Sequence, residues 1–250
     1  MIQVKVHGLE SLKSKLASVP RQIAYATAPA LTRTAKAVEE KQKREMRDVF
    51  DRPTPYTLSS TYTKPATKGK LVAEVGLKNF ASKATPAVKF LQAQVRGGSR
   101  RMKRFEKALQ AVGAMPAGFR AVPGEAAQRD QYGNMKPSQI VQILSWFKAF
   151  PEMGYRANMS AKRRASLQKG SKTKQGFAYF AGSPGDRLPE GIWQRFQFAS
   201  GSAIKPVIIF VRHANYQGIY DFEYVSRKVA ERELPDQINA AVAEALRTAR

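Results

Sequence analysis

At residues 206–211 the chain reads PVIIFV, which is its most apolar run. A short, continuous run of β-branched and aromatic residues is typical of a strand in the interior of a sheet. We therefore expect a central strand here. Two stretches upstream, Phe177–Phe180 and Ile192–Phe198, are rich in the same residue types and predict neighbouring strands.

Helical patterns lie on both sides of these strands. Downstream, Ile219–Thr248 has apolar residues at helical spacing, and Pro235 should bend or divide that helix. Near the start of the chain, residues 2–6 alternate between apolar and polar types and predict a short strand. A long helix follows from Pro20 to Phe50, with a kink or a restart expected at Pro29.

The middle of the chain predicts shorter elements. Strands are expected at Tyr56–Thr63 and Leu71–Leu77, which are rich in β-forming residues. Helices are expected at Pro86–Val95 and Ile140–Phe147, the latter with Ser138 as its N-cap. Consecutive strands flanked by helices, without regular β–α alternation, indicate an α+β fold.

The predicted architecture is an antiparallel sheet packed against long N- and C-terminal helices, with a basic insertion. We expect residues 1–63 and 175–250 to form the α+β core domain. Residues 64–174 are expected to be the insertion, with short helices and flexible loops.

The composition excludes several kinds of chemistry. The 250 residues include no cysteine, so disulfides, cysteine-ligated metals and thiol catalysis are excluded. The two histidines, His7 and His213, follow predicted strands and are interpreted as packing or surface residues. No apolar run approaches the ~20 residues of a membrane span. We therefore expect a protein that is not an enzyme, with no catalytic residue, metal, cofactor, small-molecule substrate or membrane partner.

Positive charge is the dominant feature of the composition. The chain has 43 Lys and Arg against 19 Asp and Glu, a formal net charge of +24. Between Lys64 and Lys174 there are 23 basic and five acidic residues, so most of the excess lies in the predicted insertion. Self-repulsion of this size favours a surface for a polyanion or an acidic protein over a merely solubilising surface. The sequence contains no clear base-reading module, so DNA would be held through its phosphates.

Two clusters in this region are the candidate contacts. Residues 160–175, SAKRRASLQKGSKTKQ, contain one large apolar side chain and predict a mobile loop that a partner would order. The candidate interface or polyanion contacts are the cations of this segment and of an earlier basic run: Arg100, Arg101, Lys103, Arg104, Lys162, Arg163, Arg164, Lys169, Lys172 and Lys174.

Two further patterns resemble functional sites. Ser171 and Lys174 match the S-x-x-K pattern of acyl-transfer enzymes, but that chemistry needs a buried lysine at the start of a helix. We interpret them as part of the charged loop. The aromatic residues around Trp146 and Trp193 could stack on bases, but their apolar flanks favour core or subunit-interface packing.

Five segments carry a family resemblance. In the last third, these are LPEGIWQRF (188–196), KPVIIFVRHANY (205–216) and YDFEYVSRKVAERELPDQINAAVAEALRTAR (220–250). At the start, they are GLESLKSKLASVP (8–20) and APALTRTAKAV (28–38). Their succession resembles the Z-type minor tail proteins, or tail completion proteins, of long-tailed bacteriophages.

The resemblance covers about residues 1–50 and 186–250. It implies a structural role in the virion: completing the tail, or joining it to the neck, as a ring of identical subunits. It also implies a location in the tail or neck, with assembly in the host cytoplasm. The expected partners are copies of this chain, other tail, neck or connector proteins, and the DNA in the channel. A free-standing protein that binds nucleic acid non-specifically is the alternative.

Overall fold

The chain folds into two compact units. The computed structural model describes residues 3–6, 20–151, 157–182, 187–198 and 201–248. Unit 1 is Met1–Gly98 together with Tyr216–Arg250, and unit 2 is Ser99–Asn215. Residues 8–19, GLESLKSKLASV, which carry part of the family resemblance at the start of the chain, lie outside the described residues.

Unit 1 combines two long helices with a three-stranded antiparallel sheet of order β1-β3-β2. Its elements are β1 (Gln3–Val6), α1 (Pro20–Val49), α2 (Pro55–Leu58), β2 (Thr61–Lys64), β3 (Ala73–Leu77), α3 (Ala87–Phe90), α4 (Gln92–Arg96) and α8 (Phe222–Thr248). Helix α1 packs against β2, β3 and α8. The α+β class and the packing of the N- and C-terminal helices are therefore confirmed.

Both long helices continue through an internal proline. Of the two predicted effects of Pro235, a bend or a division, division does not occur, since α8 is one helix, and α1 likewise runs through Pro29 without a restart. Each proline removes one helical hydrogen bond. Packing of small side chains near one proline, such as Ala30, against Ile238 near the other outweighs that loss.

A buried polar cluster sets the register of α1 against α8. Gln42 Nε2 donates to the Phe222 carbonyl at 2.8 Å and to Ser226 Oγ at 2.7 Å. Gln42 Oε1 accepts from the hydroxyl of Tyr220 at 2.7 Å. All four residues are fully buried, and burial raises the pKa of Tyr220, with Glu45 adding to the effect. Since a buried amide must find partners, this cluster specifies a single register.

The predicted strand at Tyr56–Thr63 is wrong in its first half. Thr54 Oγ1 accepts from the backbone N–H of Thr57, and Pro55 occupies the first helical turn, so residues 55–58 form α2. The strand β2 begins only at Thr61. Local capping here outweighs the β propensity of the following residues.

Unit 2 contains a four-stranded antiparallel sheet of order β5-β8-β7-β6. Its elements are α5 (Arg104–Ala111), β5 (Arg120–Pro123), α6 (Pro137–Trp146), α7 (Ala161–Lys169), β6 (Phe177–Gly182), β7 (Gly191–Phe198) and β8 (Gly201–Val211). Two short strands, β4 (Gly98–Ser99) and β9 (Asn215–Tyr216), pair where the chain passes between the units. Helix α6 begins at Pro137 with Lys136 at the N-cap position, rather than with the predicted Ser138 cap.

Strand β8 lies inside the sheet, as its apolar run predicts. It pairs with β5 on one side and β7 on the other. The register shifts next to Trp193, which pairs with Pro206, while Ile192 pairs with Ile208. Because proline has no N–H to donate, an irregularity at this point is the expected accommodation.

The boundaries of the units differ from the predicted domains. The predicted insertion starts at residue 64 and ends at 174, whereas unit 2 runs from Ser99 to Asn215. The difference arises because β6, β7 and β8 form one sheet with β5, which lies inside the predicted insertion. Pairing between strands distant in sequence is not visible in local patterns.

Candidate functional site

The first basic cluster contains one residue with an internal role. Arg100 donates to both carboxylate oxygens of Glu106, at 3.0 and 2.5 Å, and to the Ala121 carbonyl at 3.0 Å. Glu106 is fully buried and also accepts the backbone N–H groups of Lys103 and Ala121. Burial alone would raise the pKa of Glu106, but these hydrogen bonds and the guanidinium hold it below its usual value. Arg100 thus connects α5 to β5.

The other three residues of that run are exposed. Arg101 and Lys103 precede α5, and Arg104 is its first residue. We call Arg101, Lys103 and Arg104 the α5 cluster. Cations at a helix N-terminus face the positive end of the helix dipole, and in α5 the Glu106 carboxylate of the first turn offsets that end by accepting the Lys103 N–H.

The second basic segment is a helix and a turn, so the prediction of a mobile loop at 160–175 is corrected. Ser160 Oγ accepts from the backbone N–H of Arg163 at 3.3 Å and caps α7. Gly170, with φ of 74°, ends the helix. The sequence contains both signals. They were not recognised because the segment has one large apolar side chain, Leu167, and so lacks the apolar spacing of a packed helix.

Helix α7 is attached to the body of unit 2 through its polar residues. The guanidinium of Arg164 donates to the Trp146 carbonyl and lies 5.5 Å from the centroid of the Trp146 ring. Leu167 packs against the same core. Arg164 therefore has a structural role as well as a charge, because its stem and its planar head both make contacts.

The segment after α7 is a tight turn. Gly170 and Gln175 form an isolated bridge, and the Ser171 N–H donates to the Lys174 carbonyl at 2.9 Å. A Cβ on Gly176 would collide with the Gln168 carbonyl, so glycine is required for this close approach. The turn is thus held against the end of α7.

The remaining predicted contacts lie together on this helix and turn. We call Lys162, Arg163, Lys169, Lys172 and Lys174 the α7 cluster; all five are exposed. Between Glu152 and Asp186 the sequence has seven basic residues and no acidic one. In unit 1, by contrast, cations such as Lys41 pair with carboxylates on the same helix. The α7 cluster is therefore a group of five exposed cations with no acidic residue near it in the sequence.

A cleft of about 630 Å³ lies beside the α7 cluster and was not foreseen from the sequence. It is bounded by α6, α7, the 170–175 turn and the start of β6. The apolar residues that line it are Val141, Met159, Leu167 and Phe177, and the cations are Arg163 and Lys174. The cleft depends on the folding of α7, which the predicted loop did not include.

The S-x-x-K pair lies on the edge of this cleft. Ser171 Oγ accepts the backbone N–H groups of Thr173 and Lys174, at 3.4 and 3.1 Å, so it stabilises the turn. Lys174 is exposed, whereas acyl transfer of this kind needs a buried lysine at a helix start. The pair therefore belongs to a hydrogen-bonded turn, where the sequence predicted a flexible charged loop.

The tryptophans have core positions, as predicted. Trp146 and Trp193 are each 7% exposed. Trp146 packs edge-on against Tyr179, whose hydroxyl donates to Gln142 Oε1 at 2.9 Å. Burial raises the pKa of Tyr179 to about 12. Neither indole is placed to stack on an external base.

No protein-family model, curated protein or solved structure matches this chain. Within the described residues, no group of three or more His, Asp or Glu side chains could hold a metal ion. None of the described helices is long and apolar enough to cross a bilayer.

Proposed function

We propose that this chain is a non-catalytic structural protein of a phage virion, which completes the tail or joins it to the neck as an oligomeric ring. The terminal segments supply the resemblance to tail completion proteins. The observation that carries the proposal is the α7 cluster, five exposed cations on a folded helix and the turn after it, with no acidic residue between Glu152 and Asp186 in the sequence. Such a cluster suits adhesion to acidic neighbours in an assembly.

The proposed contacts are the exposed cations, and the two engaged arginines are excluded from them. Reversal of Arg100 would leave the buried Glu106 beside a second carboxylate, and reversal of Arg164 would detach α7 from Trp146. Either change would disturb folding and assembly together. The test therefore uses exposed positions only.

The first prediction concerns assembly. A phage carrying Arg163→Glu, Lys169→Glu and Lys172→Glu should produce soluble, folded chain but heads and tails that fail to join. The matched control exchanges the same positions for the other cation, Arg163→Lys, Lys169→Arg and Lys172→Arg, and should assemble normally. Electron microscopy of particles and immunoblotting of purified virions are the measurements. A chain absent from virions, or monomeric throughout assembly, contradicts the proposal.

Non-specific nucleic-acid binding is the second candidate. The same exposed cations could contact backbone phosphates, because such electrostatic contacts do not require a fixed spacing between cations. The second prediction is that affinity for a DNA duplex falls with salt at a log–log slope of about −0.9 per phosphate contact. Each reversed cation of the α7 cluster should make that slope less steep by about 1. Absence of binding at low salt in a fluorescence anisotropy titration eliminates this candidate.

A further inference from the structure

The cleft beside α7 has an apolar floor and a cationic rim. Val141 is 52% exposed, and Leu167 and Phe177 are partly exposed on the same surface. Arg163 lies in the first helical turn of α7, and Lys174 lies in the 170–175 turn that follows the helix. Its volume of about 630 Å³ falls in the range that holds one or two large side chains or a small ligand.

Three neutral polar side chains of the cleft make internal hydrogen bonds. Gln142 accepts from Tyr179, Ser145 Oγ donates to the Ala157 carbonyl, and the Asn158 amide bonds the Phe150 backbone through both its oxygen and its nitrogen. These three side chains shape the cleft, and Arg163 and Lys174 are the charged groups among its described lining residues.

The charge of the cleft is one-sided. Of the described residues that line it, none is Asp or Glu. Neither Arg163 nor Lys174 makes an ion pair with a carboxylate in the part of the chain that the structure describes. A complementary ligand must bring an apolar group for the floor and negative charge for the rim.

The floor distinguishes a peptide from a nucleic acid. Bases bind single-strand sites chiefly by stacking on aromatic faces. Phe177 is the aromatic residue among the described residues of the lining, and its ring already contacts Tyr179 edge-on at 5.2 Å and Phe196 at 6.1 Å. The rest of the floor is aliphatic or thioether, which suits a Leu, Ile, Met or Phe side chain.

We propose that this cleft docks an acidic, apolar-anchored peptide segment of a partner protein. One large apolar side chain fills the floor, and flanking Asp or Glu residues meet Arg163 and Lys174. The inference deepens the proposed function, since it names the chemistry of the neighbour that the α7 cluster would grip. The wider cluster supplies long-range attraction, and the cleft supplies selectivity.

The test uses the full chain, a random library of displayed peptides about twelve residues long, and a separate single-stranded oligo(dT) probe. The chain should enrich peptides with Leu, Ile, Met or Phe beside Asp or Glu. Arg163→Glu with Lys174→Glu should weaken binding of a synthetic enriched peptide at least about tenfold, because like charges then face each other. Val141→Ser should weaken it through the floor alone.

The matched control is Lys107→Glu with Arg129→Glu, which makes the same change in charge at exposed positions of unit 2 that lie outside both the cleft lining and the α7 cluster. It should retain peptide affinity within about threefold. Far-UV circular dichroism and urea unfolding establish that each variant is folded.

Each outcome bears on the cleft independently of the virion role. Failure to enrich acidic–apolar peptides, equal loss of affinity in the control, or oligo(dT) binding that depends on Arg163 and Lys174 in place of peptide binding overturns the proposal. Peptide binding with normal particle assembly in the Arg163→Glu, Lys169→Glu and Lys172→Glu phage supports the cleft and contradicts the proposed function.

Discussion

Glu106 is a fully buried carboxylate in a chain with a large excess of positive charge. It accepts hydrogen bonds from the Arg100 guanidinium and from two backbone N–H groups, those of Lys103 and Ala121. Burying a charge is unfavourable unless its hydrogen-bonding capacity is satisfied, and here it is. One acidic residue therefore organises the start of α5 and the edge strand β5.

The third prediction concerns this carboxylate. Glu106→Gln should lower the free energy of unfolding of unit 2 by about 3–5 kcal/mol at neutral pH, because Arg100 then lacks its counter-charge. The matched control is Glu125→Gln, which removes an exposed carboxylate paired with Lys205 and should change stability by at most about 0.5 kcal/mol. Urea unfolding, followed by tryptophan fluorescence from Trp146 and Trp193, is the measurement.

The same variant gives a pH dependence with a definite sign. The pKa of Glu106 in the folded chain lies below its ordinary 4.5, so its contribution is complete above that pH and is lost on acidification through the lowered pKa. The stability difference between the unchanged chain and Glu106→Gln should therefore shrink below pH 4.5. A constant difference across that range argues against the internal ion pair.

At the scale of elements, strand β8 has two unequal faces. Ile208 is fully buried, whereas Ile209 is only partly buried. The fourth prediction is that Ile208→Ala lowers the free energy of unfolding by about 2–5 kcal/mol and Ile209→Ala by less. The midpoints of urea unfolding compare the two directly. Equal losses would show that both faces of β8 are packed alike.

The elements differ in how far the sequence predicts them. Long periodic helices and the apolar run 206–211 are recognisable because many residues contribute to one pattern. The phase of β8 is not, because a continuous apolar run does not reveal which side chain faces inward, and the shift beside Pro206 sets it. Helix α7 was missed because its amphipathic signal is weak and its anchor, Arg164, is a charged residue.

The candidate site shows the same limit. Every cation of the α7 cluster is visible in the sequence as part of a basic run. Whether a cation is free or engaged depends on contacts distant in sequence, such as Arg164 with Trp146. The cleft lies between α6 and α7, and no local pattern describes a cavity shared by two elements.

At the scale of the whole molecule, unit 2 is inserted into unit 1. The chain leaves unit 1 at Gly98 and returns at Tyr216, on the paired strands β4 and β9. Paired strands lie about 5 Å apart, so the two ends of the insertion are close together. This arrangement is the one in which a domain insertion is tolerated.

The fifth prediction follows from those neighbouring ends. Replacing residues 99–215 by a short Gly-Ser linker should leave unit 1 soluble and helical, with cooperative urea unfolding monitored by circular dichroism. Adding Gln42→Ala to that shortened chain should lower its stability by about 2–4 kcal/mol, because three buried partners lose their hydrogen bonds. An aggregated or non-helical product would show that unit 1 depends on unit 2.

The pairing of β4 with β9 also affects the unfolded state of unit 2. While unit 1 remains folded, it holds both ends of the 117 intervening residues, Ser99–Asn215, much as a disulfide closes a loop. A closure of about 100 residues removes chain entropy worth roughly 4–5 kcal/mol in the loop model. Unit 2 should therefore have a higher free energy of unfolding in the intact chain than as an isolated fragment. Part of that stability would come from the closure of its two ends by unit 1, and not from contacts within its own core.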